Sequence, residues 1–324
     1  MDEALCDHTE RGPYAVGVCQ TTVMAGEDSD LQLPTEIWYP AHGPASEADL
    51  PDDAPHPLGL SHRAKPDLPA IDVPCPLIVF SHGNSGFRQQ STFLTTHLAS
   101  WGAVVAAPDH VGNTFTEMLA LADEEARRDV HVEMRARRPG DLRDVVAALL
   151  DERVANLPPL DGQRLGLLGH SFGGWTALKG PALEPRARAV CSLAPVSEPF
   201  VGRKAFAAGE LPLPKGIRSL VLAARDDVLV DLDTSILPLF ERLGPDAALE
   251  VIDGADHFHF CDGIELLHRM HENNPREGQH RPTRPFVELR SEREMHALLN
   301  ERVTRFFSEV LELADAGEAE PASR

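Results

Sequence analysis

Short apolar runs alternate with segments of helical periodicity along most of the chain after residue 75. Apolar runs bounded by turn residues predict strands at 76–80, 103–107, 164–168, 189–193, 219–224 and 249–252. Apolar residues at helical spacing predict helices at 88–101, 141–151, 175–178, 236–243 and 292–313. Short apolar strands that alternate with helices are typical of a parallel sheet covered on both faces. The pattern therefore predicts an α/β fold with a mostly parallel, doubly wound sheet.

The N-terminal part of the chain follows a different pattern. Residues 14–24 and 33–39 alternate between apolar and polar, which predicts two antiparallel strands ahead of the parallel sheet. Residues 41–75 are rich in Pro, Asp and His and show little periodicity. This composition predicts a long surface loop between the two parts of the sheet.

A chain of 324 residues can bury one sizeable core. We therefore expect a single domain over residues 1–324, decorated by loops. Ligands of such sheets bind beyond the carboxyl ends of the strands. Segments 112–138 and 195–216 follow strands and are candidate covers of that region, and a frayed tail is expected at 314–324.

The strongest motif is Gly-His-Ser-Phe-Gly at 169–173, between the strand predicted at 164–168 and a helix. A nucleophilic serine needs a tight strand-to-helix turn, and glycines on either side let the backbone approach closely. The helix N-terminus offers an N–H group and a positive dipole end to a developing oxyanion. Ser171 is therefore the candidate nucleophile, and a glycine-rich packing turn with an idle serine is the alternative.

An oxyanion hole needs two N–H donors, and two turns can supply them. One candidate is the amide of Phe172, the residue after the nucleophile. The other is Asn84, in the turn Ser-His-Gly-Asn-Ser-Gly at 81–86 that follows the strand predicted at 76–80.

A serine nucleophile is weak without a base. When the serine stands on a strand-to-helix turn, the base is expected late in the chain, in the order serine, acid, histidine. His257 fits that order, in the segment Gly-Ala-Asp-His-Phe-His-Phe at 254–260, and His259 is its competitor. His257 and His259 could also be two ligands of a metal site, but the sequence offers no evident third ligand. We therefore expect neither a metal nor another cofactor.

The acid that orients the base is expected after the strand predicted at 219–224. Asp226 and Asp227 both lie there, and we favour Asp227 because strand and turn then carry its carboxylate to the usual place before a hydrophobic pair. Glu198 is the third candidate. The remaining histidines of polar segments are expected on surface loops: His62, His110, His268, His271, His280 and His296.

The net charge of −21 narrows the classes of partner. It repels nucleic acid and anionic membranes and suits a neutral or cationic small molecule. The five cysteines include no C-x-x-C pair, which is typical of reduced thiols. The first residues lack the basic-then-apolar order of a signal peptide, and no apolar run reaches about 18 residues. We expect a cytoplasmic protein without a membrane span; the sequence does not indicate the oligomeric state.

Seven segments in order along the chain resemble the bacterial dienelactone-hydrolase-like family, which is related to platelet-activating factor acetylhydrolase. They are GPYAVGV at 12–18, LPTEIWYP at 33–40, FSHGN at 80–84, APDHVGNT at 107–114, RPGDL at 138–142, GHSFGG at 169–174 and GADHFHF at 254–260. Together these segments are more specific than the serine motif alone.

The resemblance implies an α/β-hydrolase fold and cleavage of carboxylic esters without a cofactor. It implies Ser171 as nucleophile, His257 as base, and oxyanion donors at Asn84 and Phe172. The substrate would then be a small-molecule ester.

Two departures from the relatives change what the resemblance implies. Dienelactone hydrolases resemble one another in using a Cys nucleophile, whereas this chain has Ser171, so the family name does not give the substrate. The eukaryotic phospholipid-cleaving relatives carry an Asp soon after the strand that follows the serine motif. This chain has none there, which moves the acid to Asp227 or Asp226. We expect a serine esterase with a Ser-His-Asp triad and an acyl-enzyme; the alternatives are an amidase, thioesterase, lactonase or polyester hydrolase, or a non-catalytic binding protein.

Overall fold

A mixed nine-stranded sheet runs through the part of the chain that the structure, a computed structural model, describes. The described residues are 7–26, 30–43, 58–59, 63–121, 123–151, 154, 156–197, 204–274 and 281–313. The strands are β1 (Ala15–Ala25), β2 (Leu31–Ala41), β3 (Lys65–Pro66), β4 (Cys75–Ser81), β5 (Val104–Pro108), β6 (Leu160–His170), β7 (Ala187–Leu193), β8 (Arg218–Ala224) and β9 (Ala247–Ile252). Their order across the sheet is β3-β1-β2-β5-β4-β6-β7-β8-β9.

The sheet combines an antiparallel N-terminal pair with a parallel body. Strand β1 pairs antiparallel with β2, from Ala15 opposite Ala41 to Ala25 opposite Leu31, and β2 pairs antiparallel with β5. Every pair from β5 to β9 is parallel. The carboxyl ends of β4 to β9 therefore lie along one edge, and the predicted doubly wound architecture with antiparallel N-terminal strands is confirmed.

Helices cover both faces of the sheet. They are α1 (Thr92–Ser100), α2 (Phe115–Ala120), α3 (Glu124–Leu150), α4 (Phe172–Lys179), α5 (Leu237–Leu243), α6 (Ile264–Glu272) and α7 (Glu292–Leu311). Helices α3, α4 and α5 share one apolar core with Leu77 and Val79 of β4. Helices α1 and α7 share a second core with Ile78 and Phe80 of the same strand. Alternate side chains of one buried strand thus serve both cores, as expected for a sheet covered twice.

Helix α3 differs most from its prediction. The sequence predicted a helix only at 141–151 and a charged cover at 112–138, but α3 is continuous through Pro139. Its core-facing side includes the polar residues Arg138 and Asp141, so apolar periodicity underestimates its length. Of the described residues in segment 112–138, Phe115 at the start of α2 is the one that lines the cavity described below.

The loop predicted at 41–75 is partly sheet. Within its described residues, β3 pairs parallel with β1, and Ala70 forms a bridge with Ala41. The hydroxyl of Tyr39 donates to the carbonyl oxygen of Leu68 at 2.9 Å. This stretch adds β3 to the edge of the sheet beside β1. A strand of two residues is too short to show a periodicity in the sequence, so the pattern predicted a loop.

Candidate active site

Ser171 occupies a strained turn between β6 and α4. Its φ of +56° lies in the left-handed region that residues with side chains rarely adopt. A methyl group on Gly169 would lie 2.2 Å from the carbonyl oxygen of Gly173, and one on Gly173 would lie 1.9 Å from that of Ser81. Both positions therefore require glycine. The Ser171 N–H donates to the carbonyl oxygen of Leu193 at 2.8 Å, which fastens the turn to β7.

A hydrogen-bond chain joins Ser171, His257 and Asp227. The Nε2 atom of His257 lies 2.9 Å from the Oγ of Ser171. Its Nδ1 lies 2.6 Å from the Oδ2 of Asp227. A carboxylate accepts the Nδ1 proton, which leaves the Nε2 lone pair facing the serine hydroxyl. Each of the three residues is 6% exposed, so the chain is buried but reaches the surface of the cavity.

The turn after β8 separates the two adjacent aspartates. The Oδ1 atom of Asp227 accepts hydrogen bonds from the N–H groups of Leu229 and Val230, both at 2.8 Å. These bonds aim Oδ2 at the imidazole. Asp226 instead lies 3.5 Å from the guanidinium of Arg284. The structure thus brings Asp227, and not Asp226, to the candidate base.

His259, the competing candidate base, belongs to a different cluster. Its Nδ1 lies 2.7 Å from the Oδ1 of Asp256, and its Nε2 lies 3.2 Å from the carbonyl oxygen of Arg290. The second carboxylate oxygen of Asp256 lies 2.5 Å from the Nδ1 of His268. Because Asp256 directly precedes His257, this cluster holds the loop that carries the candidate base.

The expectation of surface loops was wrong for four histidines. His110, His268 and His271 are buried, and His296 is half-buried within helix α7. Their polar neighbours in the sequence suggested exposure to solvent. Buried polar groups can, however, form hydrogen bonds with one another between segments that are distant in the sequence. Three candidates lie outside the described residues: His62, Glu198 and His280.

A second Ser-His-Asp chain joins β4, the loop after β5 and helix α3. The Oγ of Ser81 lies 2.8 Å from the Nε2 of His110, whose Nδ1 lies 2.8 Å from the Oδ2 of Asp141. All three residues are at most 1% exposed. Burial holds the pKa of His110 well below its ordinary value and raises the pKa of Asp141 to about 6. This buried chain fixes the end of β4, from which the turn at 81–86 begins.

The turn at 81–86 lies against the serine turn. A methyl group on Gly83 would lie 3.5 Å from the Cβ of Ser171. The Gly83 N–H donates to the Oε1 of Gln90 at 2.8 Å, and the Nε2 of Gln90 donates to the Nδ1 of His170 at 2.9 Å. His170 can then donate its Nε2 proton to the carbonyl oxygen of His257, 3.0 Å away. The relay joins both turns to the candidate base.

Burial and the neighbouring charge of His257 hold the pKa of His170 well below its ordinary value, so its ring is neutral near pH 7. Sequence reasoning missed His170 and Gln90 as parts of the site. His170 stands inside the serine motif at 169–173, which was an available signal, whereas Gln90 had none.

The predicted oxyanion donors lie at two element boundaries. Phe172 is the first residue of α4, where backbone N–H groups have no partner within the helix. Asn84 lies in the turn at 81–86 and lines the same cavity as Ser171. Phe172 directly follows Ser171 in the serine turn, and the role of both residues as donors stays a prediction.

A cavity of about 230 Å³ opens beside Ser171, His257 and Asn84. Its other walls are mainly apolar: Leu58, Phe87, Phe115, Val196, Leu229, Val230, Phe258 and Leu267. Val196 belongs to the candidate cover at 195–216, of which residues 198–203 lie outside the described part. A larger cavity of about 760 Å³ lies beside α1 and α7, and its walls do not include Ser171, His257 or Asn84.

Within the described ranges, no three His, Cys, Asp or Glu side chains are grouped so as to hold a metal ion. Among the described helices, none combines the length and the apolar character needed to cross a membrane.

Burial raises the pKa of the Cys261 thiol well above its ordinary value, so this wall of the cavity carries no thiolate near pH 7.

Comparisons with known proteins agree with this architecture. A family model described as platelet-activating factor acetylhydrolase, isoform II, matches residues 67–139. A ferulic acid esterase from Streptomyces cinnamoneus has a similar structure, with a TM-score of 0.65 and 22% sequence identity. That match covers 97% of this chain and 95% of the esterase chain, and at this identity it shows the fold. A comparison with curated proteins finds no significant match.

The matched segment contains the turn at 81–86 and runs to the RPGDL motif in α3. The structural match spans nearly all of both chains. The predicted fold and the predicted resemblance to relatives of platelet-activating factor acetylhydrolase are therefore confirmed, whereas the resemblance to dienelactone hydrolases stays a prediction. This chain is an α/β-hydrolase-fold protein similar to the platelet-activating factor acetylhydrolase family.

Proposed function

We propose that this protein is a serine hydrolase that cleaves small carboxylic esters through an acyl-enzyme intermediate. The observation that carries the proposal is the hydrogen-bond chain of Ser171, His257 and Asp227 at the wall of a mainly apolar cavity. The family similarity and the esterase among the structural neighbours support ester chemistry.

In the acylation half-reaction, the Oγ of Ser171 attacks the ester carbonyl carbon while the Nε2 of His257 takes the hydroxyl proton. Asp227 holds the imidazole in the tautomer with a proton on Nδ1 and stabilises the imidazolium that forms. The bond to the alcohol oxygen then breaks, and His257 returns the proton to that oxygen. The alcohol leaves, and the acyl group stays on Ser171.

Deacylation repeats the sequence with water as the nucleophile. His257 takes a proton from water, whose oxygen attacks the acyl carbon, and then returns it to the Ser171 oxygen. In both steps the carbonyl oxygen becomes an oxyanion, for which the amides of Phe172 and Asn84 are the proposed donors. Each such donor lowers the barrier by about 3 kcal/mol.

The cavity limits the acyl group that can be accommodated. About 230 Å³ with aromatic and aliphatic walls suits a short, uncharged acyl chain. We therefore expect the ratio kcat/KM to be highest for acetyl to butyryl esters and to fall for longer chains.

The test is hydrolysis of a p-nitrophenyl ester series from acetate to palmitate, with Ser171→Ala as the control. Ester turnover that is lost in the variant supports the proposal, and a maximum at short chains supports the acyl preference. Turnover that persists in a folded Ser171→Ala protein would exclude Ser171 as the nucleophile. A folded wild-type protein without turnover of any ester would contradict ester hydrolysis.

A further inference from the structure

Helix α3 places Arg138 behind the two turns that carry the proposed oxyanion donors. The side chain is fully buried, and no step of the mechanism above uses it. It belongs to the RPGDL motif at 138–142, for which the proposed chemistry gives no role. A buried arginine is costly unless its charge is used or paired, so its surroundings need an explanation.

The guanidinium of Arg138 contacts both sides of the proposed oxyanion hole. It donates to the carbonyl oxygens of His82 at 2.7 Å and of Gly83 at 3.1 Å. Its Cζ also lies 4.3 Å from the centre of the Phe172 ring, a cation–π contact. One side chain therefore fixes the residue before Asn84 and the side chain of the second donor residue.

The contact with Gly83 acts directly on the Asn84 amide. The Gly83 carbonyl and the Asn84 N–H belong to the same planar peptide group. That carbonyl also accepts a hydrogen bond from the Nδ1 of His82 at 2.7 Å and from the N–H of Gly86 at 3.2 Å. Donors that polarise the carbonyl end of a peptide strengthen its N–H end as a donor.

Arg138 also holds the side chain of Asn84 through a relay. It donates to the Oδ1 of Asn113 at 2.6 Å, so the Asn113 amide must present its Nδ2 on the other side. That Nδ2 donates to the Oδ1 of Asn84 at 2.9 Å. The side chain and the backbone of Asn84 are thus oriented by the same guanidinium.

The charge of Arg138 is not neutralised by direct contact. Among the described residues its hydrogen-bond acceptors are neutral oxygens, and no carboxylate forms an ion pair with it. Asp141, the acid that acts on it electrostatically, is hydrogen-bonded to His110. Burial, with a smaller contribution from Arg137, lowers the pKa of Arg138 to about 9, so it remains a cation near pH 7. Such a charge in a dry site stabilises an anion that forms nearby.

We propose that Arg138 is a positioning residue of the oxyanion hole: it fixes and polarises the Asn84 peptide and packs against Phe172, so that both amides face the oxyanion before it forms. The inference rests on the proposed ester hydrolysis at Ser171. Because the oxyanion exists only after attack, Arg138 should affect the transition state and not substrate binding.

The test compares Arg138→Gln and Arg138→Lys with Arg143→Gln, which changes an exposed arginine of the same helix that bonds to Asp144. The readouts are kcat and KM for p-nitrophenyl acetate and the inhibition constant of an alkylboronic acid, whose serine adduct is tetrahedral. For Arg138→Gln we expect kcat to fall about 10²- to 10³-fold with KM within about threefold. Boronate affinity should fall in parallel, Arg138→Lys should restore part of both losses, and Arg143→Gln should change neither.

A folded Arg138→Gln protein with wild-type kcat and boronate affinity would overturn the inference. A purely structural role predicts instead that specific activity falls with the folded fraction, while KM and boronate affinity of the folded protein stay unchanged. If Arg138→Gln does not fold, Arg138→Lys and Asn113→Ala decide. We expect each to lower kcat about tenfold with little change in KM, and full kcat in both would overturn the inference.

The outcome is distinguishable from failure of the proposed function. Wild-type turnover that is lost in Ser171→Ala is measured first in the same assay. Turnover that persists in Ser171→Ala contradicts the mechanism itself, whereas Ser171-dependent turnover that Arg138→Gln leaves unchanged contradicts only the role of Arg138.

Discussion

The described part of the molecule contains two Ser-His-Asp hydrogen-bond chains of nearly the same geometry. The serine–histidine distances are 2.9 Å for Ser171 and 2.8 Å for Ser81. The histidine–aspartate distances are 2.6 Å and 2.8 Å. Both chains use the two nitrogens of one imidazole in the same way, so distances and residue types do not tell a catalytic triad from a structural one.

Their surroundings differ. Ser171 stands on a strained turn at a helix N-terminus and lines a cavity, whereas Ser81 ends a regular strand and is fully buried. The cavity gives a substrate carbonyl access to Ser171, whereas Ser81 is 0% exposed, and the proposed oxyanion donors Asn84 and Phe172 belong to the turns around Ser171. Access to substrate and preorganised N–H donors are what a Ser-His-Asp hydrogen-bond chain needs in order to act chemically. The same hydrogen bonds without access tie a strand to a helix.

We expect the greatest difference between the two serines in the kcat of their alanine variants. Ser171→Ala should lower kcat by about 10⁶-fold, because no other group can form the acyl-enzyme. Ser81→Ala should keep kcat within about tenfold, because its hydroxyl never meets substrate. Rates of p-nitrophenyl acetate hydrolysis by the two folded variants check this, and comparable losses in both would remove the distinction between the chains.

The next effect separates the two adjacent aspartates. Asp227→Asn should lower kcat about 10⁴-fold, because an amide in this place favours the wrong imidazole tautomer. Asp226→Asn, the matched control, should change kcat less than about threefold, because it removes only a partly exposed ion pair with Arg284. The same assay decides, and equal losses would contradict the assignment of Asp227.

The buried chain should show its role in stability. Ser81→Ala leaves the Nε2 of His110 without its hydroxyl partner and should lower the free energy of unfolding by about 1–3 kcal/mol. Ser171→Ala should leave that free energy unchanged or raise it, because active-site residues are rarely optimised for stability. Urea unfolding of both variants measures the difference, and the reverse order would refute the structural role of Ser81.

The smallest effect concerns the pH dependence of stability. His110 is neutral in the folded protein because burial lowers its pKa, but it can bind a proton near pH 6.5 when the chain unfolds. Below that pH the unfolded state binds more protons than the folded state. The stability that depends on a neutral His110 is therefore present above pH 6.5 and is lost as the pH falls. His110→Gln should flatten this decline by at most about 1.4 kcal/mol per pH unit between pH 6.5 and 6, above the pKa of about 6 at which its buried partner Asp141 takes up a proton in the folded protein.

Urea unfolding at several pH values measures this slope. Ser81→Ala keeps His110 and serves as the control: it should be less stable than the wild type at each pH but should keep the wild-type slope. An unchanged slope in a folded His110→Gln protein would show that His110 is protonated in the folded state too.

Much of this fold could be predicted because its strands are short, apolar and separated by helices. The motif around Ser171 was readable for the same reason, since a strand, two glycines that close contacts require and a helix follow one another directly in the sequence. Local pattern was less informative in helix α3. Met134 is the one residue of the helix that is buried ahead of Arg138, so the charged first half shows almost no apolar periodicity and the pattern predicts a cover there.

The sequence favoured Asp227 over Asp226 but did not contain the interaction that separates them. Both follow the same strand, and what separates them is the pair of amides, from Leu229 and Val230, that holds one carboxylate in place. His110 was expected on the surface for a related reason, because its partners Ser81 and Asp141 are 29 and 31 positions away in the chain. Such pairings exist only once the fold has formed.

The most direct test of Ser171 as the nucleophile is to label the folded protein with a fluorophosphonate and identify the modified residue by peptide mass spectrometry. The probe reacts with a serine only where a base activates it and an oxyanion hole receives the phosphoryl oxygen. We expect modification of Ser171 alone, unchanged in Ser81→Ala and absent in Ser171→Ala. A folded protein that is modified at Ser81, or that leaves Ser171 unmodified, would contradict it.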